Sequence, residues 1–162
     1  MELREHLVSN KQLALILHWV DYCRENQIGY RFTGGLAGNF YGSQWKLQDI
    51  DIEVHLLDLF QIAQDFASYV TLPLHRYQDE EFELWLLTLT IEGQVIEINA
   101  VEDVLVKGIP FSSILENHHT VTLFQTPIRV QLLDEIIAYK TLLNRRKEVQ
   151  ELLSLKVNLS PS

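Results

Sequence analysis

The sequence predicts an α/β (α+β) protein, a small mixed β-sheet flanked by helices. Three observations carry that reading. Apolar residues recur at helical spacing near both ends of the chain, at Leu13, Ile16, Leu17, Val20 and Cys23 and again from about Leu132 to Leu155. Clean alternation marks the segment Ile50-Asp51-Ile52-Glu53-Val54 as a strand. Two β-rich runs, Phe82–Ile91 and Gln94–Val101, flank Glu92-Gly93 as a hairpin would. Helical and strand patterns therefore interleave, which places helices against at least one face of a sheet.

Taken in order, the first helix runs from Asn10 to about Glu25, with Ser9 or Asn10 as its cap. Gln27-Ile28-Gly29 ends it, and Tyr30-Arg31-Phe32-Thr33 reads as a short strand entering Gly34-Gly35. The uncharged stretch from Leu36 to Trp45 predicts a short helix and then a turn at Gly42-Ser43. A strand follows from Ile50 to Leu56. Asp58 opens a helix through Phe60, Ile62 and Phe66 to about Tyr69, and Pro73 stops anything beyond it. After the hairpin come a helix at Glu102–Lys107, a β-leaning stretch at Thr120–Val130 and one closing helix from about Leu132 to Leu155. With 162 residues and no repeat or low-complexity linker, one domain over 1–162 is expected, its core at about 30–101.

Charge narrows the function. The chain is 47% hydrophobic and 22% charged, which is globular composition, and its net charge is −9. A surface that acidic repels phosphate backbones, so extended nucleic-acid binding is disfavoured. The single cysteine, Cys23, excludes an internal disulfide and a multi-cysteine metal site. The longest apolar runs, such as Leu13–Leu17 and Leu84–Leu87, are of core length and predict no membrane span. The start Met-Glu-Leu-Arg-Glu lacks the basic and apolar stretches of a signal peptide, so a cytoplasmic protein is expected.

The most informative segment is Asp49-Ile50-Asp51-Ile52-Glu53-Val54-His55. Alternation turns Ile50, Ile52 and Val54 to one face and Asp49, Asp51, Glu53 and His55 to the other. Carboxylates two residues apart on one face lie about 6.5–7 Å apart along the strand and repel, so they call for water or a cation. Hard oxygen donors at that spacing suit Mg²⁺ or Mn²⁺. A solvated acidic face is the alternative. Glu97, between Ile96 and Ile98, reaches the same ion if its strand lies beside the first; an exposed polar residue is its alternative reading. Gly34-Gly35, just after a strand, lets backbone N–H groups approach a phosphate closely, or simply makes a turn.

Gly34-Gly35, thirteen intervening residues and then Asp49-Ile50-Asp51-Ile52 resemble the signature of the nucleotidyltransferase superfamily with the polymerase-β-like fold. The Gly-Gly version occurs in minimal nucleotidyltransferases, lincosamide nucleotidyltransferases and abortive-infection toxins. The resemblance covers about Tyr30 to Val101. It implies that Gly34 and Gly35 hold nucleoside triphosphate (NTP) phosphates, and that Asp49, Asp51 and Glu97 are the metal-binding catalytic acids. Three departures stand out. Gly35 occupies a position often filled by serine, Lys46 is the nearest match to an arginine ahead of the acids, and Glu97 is longer than the usual aspartate. Lys140, followed by Arg145-Arg146-Lys147-Glu148, is loosely similar to a Lys and then Arg-x-Lys-Asp pattern found after the core.

Lys140 also falls inside the apolar stripe of its helix, among Leu133, Ile136 and Leu143. Either its amine snorkels to water or it reaches the acidic cluster. Trp45 is an aromatic available for stacking or for packing, and His118-His119 reads as a loop pair. The function the resemblance implies is a magnesium-dependent transferase. It would move a nucleoside monophosphate from an NTP to a hydroxyl of a small-molecule or macromolecular acceptor, with Lys46 and Lys140 aiding nucleotide binding. The alternative is a non-catalytic nucleotide-binding or antitoxin-like regulatory module on the same fold. Either reading leaves room for a homo-oligomer or a partner protein.

Overall fold

A computed structural model of the chain describes residues 7–159. The Met-Glu-Leu-Arg-Glu start lies outside them. The first half comprises α1 (Asn10–Asn26), β1 (Tyr30–Phe32), α2 (Gly34–Tyr41), β2 (Ile50–Val54), α3 (Leu56–Asp65) and β3 (Val70–Gln78). The second comprises β4 (Phe82–Ile91), β5 (Gln94–Ala100), β6 (Leu105–Val106), β7 (Ile109–Pro110), β8 (His118–Leu123), β9 (Thr126–Gln131), α4 (Leu133–Leu142) and α5 (Arg146–Leu159). Among the described residues no helix is long and apolar enough to cross a membrane.

The strands form one mixed sheet. β1 and β2 pair antiparallel, with Phe32 opposite Ile52. β5 runs parallel to β2 on its other side and sets Asp51 directly opposite Glu97. β4 pairs antiparallel with β5, so Thr88 faces Glu97 and Leu86 faces Asn99. β3 occupies the outer flank of β4. Beyond β1, β9 runs parallel to it and β8 closes that edge. Alternation then divides the sheet chemically. Ile50, Ile52, Val54, Ile96, Ile98 and Ala100 are buried and join one core with Leu59 and Ile62 of α3 and with Ile16, Trp19 and Val20 of α1. Asp51, Glu53, Glu97 and Asn99 stand on the opposite face.

Local chemistry explains most boundaries. A reciprocal capping box starts α1: the Gln12 backbone N–H donates to Ser9 Oγ at 3.1 Å, and the Ser9 N–H donates to Gln12 Oε1 at 2.9 Å. The helix ends where Gln27 turns left-handed, at φ 55°. α3 begins at Leu56, two residues before Asp58, because Glu102 accepts the Leu56 N–H at 2.8 Å and so caps the helix from another segment. Its successor, Ala67–Tyr69, is a 3₁₀ turn.

Five features refine or correct these expectations. Val70–Gln78 is a strand despite Pro73, because it is an edge strand whose pairing shifts register between Leu72 and His75. Glu102–Lys107 is not a helix: Asp103 and Lys107 adopt φ of 58° and 49°, and Leu105-Val106 pairs with β4. Thr120–Val130 belongs to a hairpin whose two-residue turn, Phe124-Gln125, has φ of 47° and 66°. That geometry normally advertises itself as Asn-Gly, which this sequence lacks. His118 and His119 lie in β8 rather than in a loop. The closing helix is two helices, broken where Asn144 turns left-handed at φ 59°. The Arg145 N–H donates back to the Lys140 carbonyl at 3.0 Å, which completes the stop.

Arg31 joins these pieces. Its side chain is fully buried, 2.7 Å from Glu53 on β2 and 2.8 Å from Glu135 on α4. It also donates to Ser113 Oγ at 2.7 Å and to the Asn117 carbonyl at 2.9 Å, both in the segment between β7 and β8. Burial pushes the Glu53 carboxyl up, and the Arg31 guanidinium pulls it back down. Arg31→Met leaves two carboxylates without their partner and should cost about 3–5 kcal/mol in urea denaturation. Adding Glu53→Gln to Arg31→Met should recover part of that loss, since the stranded charge is then gone.

Candidate active site

The site is built where β1 meets α2. The Thr33 N–H donates to the Asp51 carbonyl at 3.0 Å, carrying the β1–β2 ladder one residue past its formal end. The chain then turns at Gly34, whose φ is +60°. A Cβ there would lie 2.3 Å from Asp51 Oδ2, so no side chain fits between this backbone and the carboxyl. Gly35 is different. A Cβ on it meets nothing nearer than Leu47 Cδ1 at 3.9 Å, so the position has the room that serine would need. Both glycines lie in the first turn of α2, and Thr33 provides no side-chain cap for that turn.

Gly34, Gly35, Asp51 and Glu97 line one cleft of about 430 Å³. Glu53, Asn99, Gln131, Tyr139, Lys140 and Arg145 line it too, and Phe82, Leu84, Leu86 and Phe111 form an apolar part of the wall. Asp51 is pushed up to about 8, first by burial and then by the charges of Glu97 and Asp49; Lys140 pulls the other way. Glu97 is raised by burial and by Asp49, while a hydrogen bond shared with Asp51 pulls it down. Asp49 is exposed one residue ahead of β2, outside the cleft lining but near enough to act on both carboxyls.

Lys140 does not snorkel to water; it lines the cleft, and its amine pairs with Glu148. It is 5% exposed, with Nζ 3.2 Å from Glu148 and 4.7 Å from the centre of the Trp45 ring. Burial lowers its pKa, and Glu148 works against that. Trp45 is thus committed to packing. A Cβ on Gly38 would strike its ring at 2.3 Å, and Asn39 holds its carbonyl at 2.7 Å. Arg145 reaches the cleft from the break between α4 and α5 and pairs with Glu81 at 2.9 Å. Lys46 is exposed and lies outside the cleft lining. His55 is also outside it, held between Glu102 at 2.8 Å and Glu116 at 2.7 Å.

Among the described residues no three His, Cys, Asp or Glu side chains are already gathered as a metal-binding set. The donor chemistry nonetheless fits a hard divalent cation. Asp51 and Glu97 are opposed, hydrogen-bonded carboxyls, and a cation bound between them would replace that hydrogen bond. Asp49 is a further carboxylate whose charge reaches both.

No protein-family model matches the chain, and no curated protein matches it in sequence. Solved structures do. A candidate nucleotidyltransferase from Thermotoga maritima, TM1012, superposes with a TM-score of 0.73 at 19% identity, over 94% of this chain and 97% of that one. An antigenic nucleotidyltransferase-like protein from Paracoccidioides brasiliensis gives 0.57 at 13% identity, over 96% and 80%. ANT(2")-Ia, in complex with adenylyl-2"-tobramycin, gives 0.55 at 13% identity, over 93% and 100%. The chain has a nucleotidyltransferase-like fold.

Within this nucleotidyltransferase-like fold, sequence reasoning overlooked several groups of the cleft. Arg145 was visible only as part of a basic run, because the helix break that aims it inward has no glycine or proline to announce it. Asn99 had a readable signal. It lies two residues after Glu97 on the same strand and therefore on the same face. Gln131 reaches the cleft, and Arg31 reaches Glu53 behind it, by pairing between distant segments, which no local pattern records.

Gly34→Ala should destabilise the protein by about 1–2 kcal/mol from the left-handed backbone alone, and more from the contact with Asp51. Chemical denaturation measures it, and Gly35→Ala, without that conflict, should cost less. The pH dependence has a definite sign. Asp51 holds its proton more tightly folded than unfolded, so its stabilising contribution is full below its ordinary value of 3.8 and is lost as pH rises through about 8. Asp51→Asn keeps the neutral form at every pH. The melting temperature of wild type should therefore fall relative to Asp51→Asn across that interval.

Proposed function

We propose that the protein is a metal-dependent nucleotidyltransferase, with residues 1–162 acting as one domain. The observation that carries this reading is the packing of Gly34 directly against Asp51, with Glu97 opposite, in a single cleft. A turn that excludes every side chain but hydrogen leaves backbone N–H groups of α2 beside the two acids, where a phosphate can approach both. Asp51 and Glu97, with Asp49, would hold Mg²⁺ or Mn²⁺. Divalent cations bound there supply neutralisation of the triphosphate and acidify an acceptor hydroxyl. Lys140 and Arg145 add positive charge on the α4–α5 side.

In the reaction, an acceptor hydroxyl oxygen bonds to the α-phosphorus, the bridge to the β-phosphate breaks, and pyrophosphate leaves in line. The hydroxyl proton is lost to the surrounding base or solvent. The product is the acceptor carrying a nucleoside monophosphate. ANT(2")-Ia holds an adenylylated product, and a small-molecule acceptor is proposed here by the same logic.

Asp51→Ala separates a binding site from a structural acid. Ile50 and Ile52 supply the buried face of β2, so the fold should survive, and removing one of two opposed carboxyls should leave apo stability unchanged or raised. The Mg²⁺–NTP response should vanish. Wild type should gain roughly 2–3 kcal/mol of stability at a hundredfold excess over Kd, read as a rise in melting temperature. A variant that still responds to Mg²⁺–NTP like wild type would place the nucleotide elsewhere.

A further inference from the structure

We propose that the acceptor is a small hydroxylated molecule with an apolar body, lying along β4 on Leu86, Leu84 and Phe82. The proposal rests on the nucleotidyltransferase reading above and names its substrate class. Strand order supplies the direction. Across the sheet come the glycine turn at the end of β1, Asp51 on β2, Glu97 on β5 and then β4. In an in-line displacement the entering oxygen and the leaving pyrophosphate lie on opposite sides of the phosphorus. Pyrophosphate at the glycine turn therefore puts the entering hydroxyl on the β4 side of the acids.

Alternation and register then say what the acceptor meets. Thr88 stands opposite Glu97, and Leu86, Leu84 and Phe82 follow it on the same face toward the cleft's outer end. Leu84 and Phe82 lie about 7 Å and about 14 Å beyond Leu86 along the strand. Tyr139 faces this wall from α4, with its ring 6.3 Å from Phe82 and 6.2 Å from Phe111, each edge-to-face. The path outward from the acids thus runs along a wall of aliphatic and aromatic side chains. A polyanionic acceptor would set phosphates against that apolar wall and against Asp79 and Glu81 near its mouth, which favours an uncharged body.

The test uses the full chain with Mg²⁺ and α,β-methylene ATP, or the matching analogue of whichever NTP stabilises the protein most. Phenyl β-D-glucoside and methyl β-D-glucoside offer the same sugar hydroxyls and differ only in the apolar group. The phenyl glycoside should bind about tenfold tighter by calorimetry, and it should shift the δ-methyl NMR signals of Leu84 and Leu86. Leu84→Asp should erase that preference while the Mg²⁺–nucleotide rise in melting temperature persists. Should that variant fail to fold, the wild-type methyl shifts decide.

Equal affinities, no binding by either glycoside, or binding that leaves those methyl signals unmoved each overturns the proposal. So does displacement of the phenyl glycoside by nucleotide, which would give the wall to the nucleobase. Tighter binding of a short single-stranded RNA to the same methyl groups overturns it as well. Absence of any Mg²⁺–NTP response in wild type is a separate failure: it overturns the nucleotidyltransferase reading first, and this proposal with it.

Discussion

A guanidinium removed from water must have its charge and its five N–H groups answered, and Arg31 recruits those answers from three segments. Glu53 comes from β2, Glu135 from α4, and Ser113 and Asn117 from the connection between β7 and β8. Each partner is also part of, or attached to, a wall of the cleft. Glu53 and Ser113 line it, and α4 carries Tyr139 and Lys140 into it. A helix, a loop and two strands are therefore held in mutual position by one side chain that has no exposure of its own. The network's cost of desolvation is large, and its return is geometric: the walls cannot drift apart without stranding a charge.

The same strand solves the problem of a buried acid in two ways. Glu53 has a permanent cation at 2.7 Å and cannot exchange it. Asp51, two residues earlier on the same face, has only a hydrogen bond with Glu97 and a distant pull from Lys140. A proton exchanges where a guanidinium does not, so on the proposed reading Asp51 is the position at which an incoming cation would gain most. Glu53 is framework, and Asp51 is receptive. The contrast depends on β1, since Arg31 can reach position 53 from its place opposite, while Gly34, three residues later, offers Asp51 backbone and nothing else.

What was legible in the sequence follows from which interactions are local. The parity of Asp51 with Glu53 and of Glu97 with Asn99 is a property of any strand, and the alternating isoleucines announced both strands. The pairing of those two strands came only from the resemblance to nucleotidyltransferases. Turns were legible where glycine marked them, at Gly34 and Gly93, and illegible where Phe124, Gln125 and Asn144 bear the left-handed φ instead. Arg31 could not be read at all. It sits in a three-residue strand between two aromatics, and its partners lie 22 to 104 positions away.

The charge distribution in the cleft finally constrains how a triphosphate enters. Asp51, Glu53, Asp79, Glu81 and Glu97 line it against Lys140 and Arg145. Both of those cations already have carboxylate partners, Glu148 for Lys140 and Glu81 for Arg145. A bare polyphosphate would thus meet a lining with more acid than base in a setting where water screens poorly. On the proposed reading, the cations that escort the nucleotide would supply the missing positive charge at the two acids that lack a fixed partner. On the proposed reading, metal dependence is a consequence of this lining as much as of the chemistry at phosphorus. The prior pairing of Lys140 and Arg145 has a matching effect. Glu148 and Glu81 already fix these two side chains at the cleft, so on that reading little ordering is left for the moment of binding.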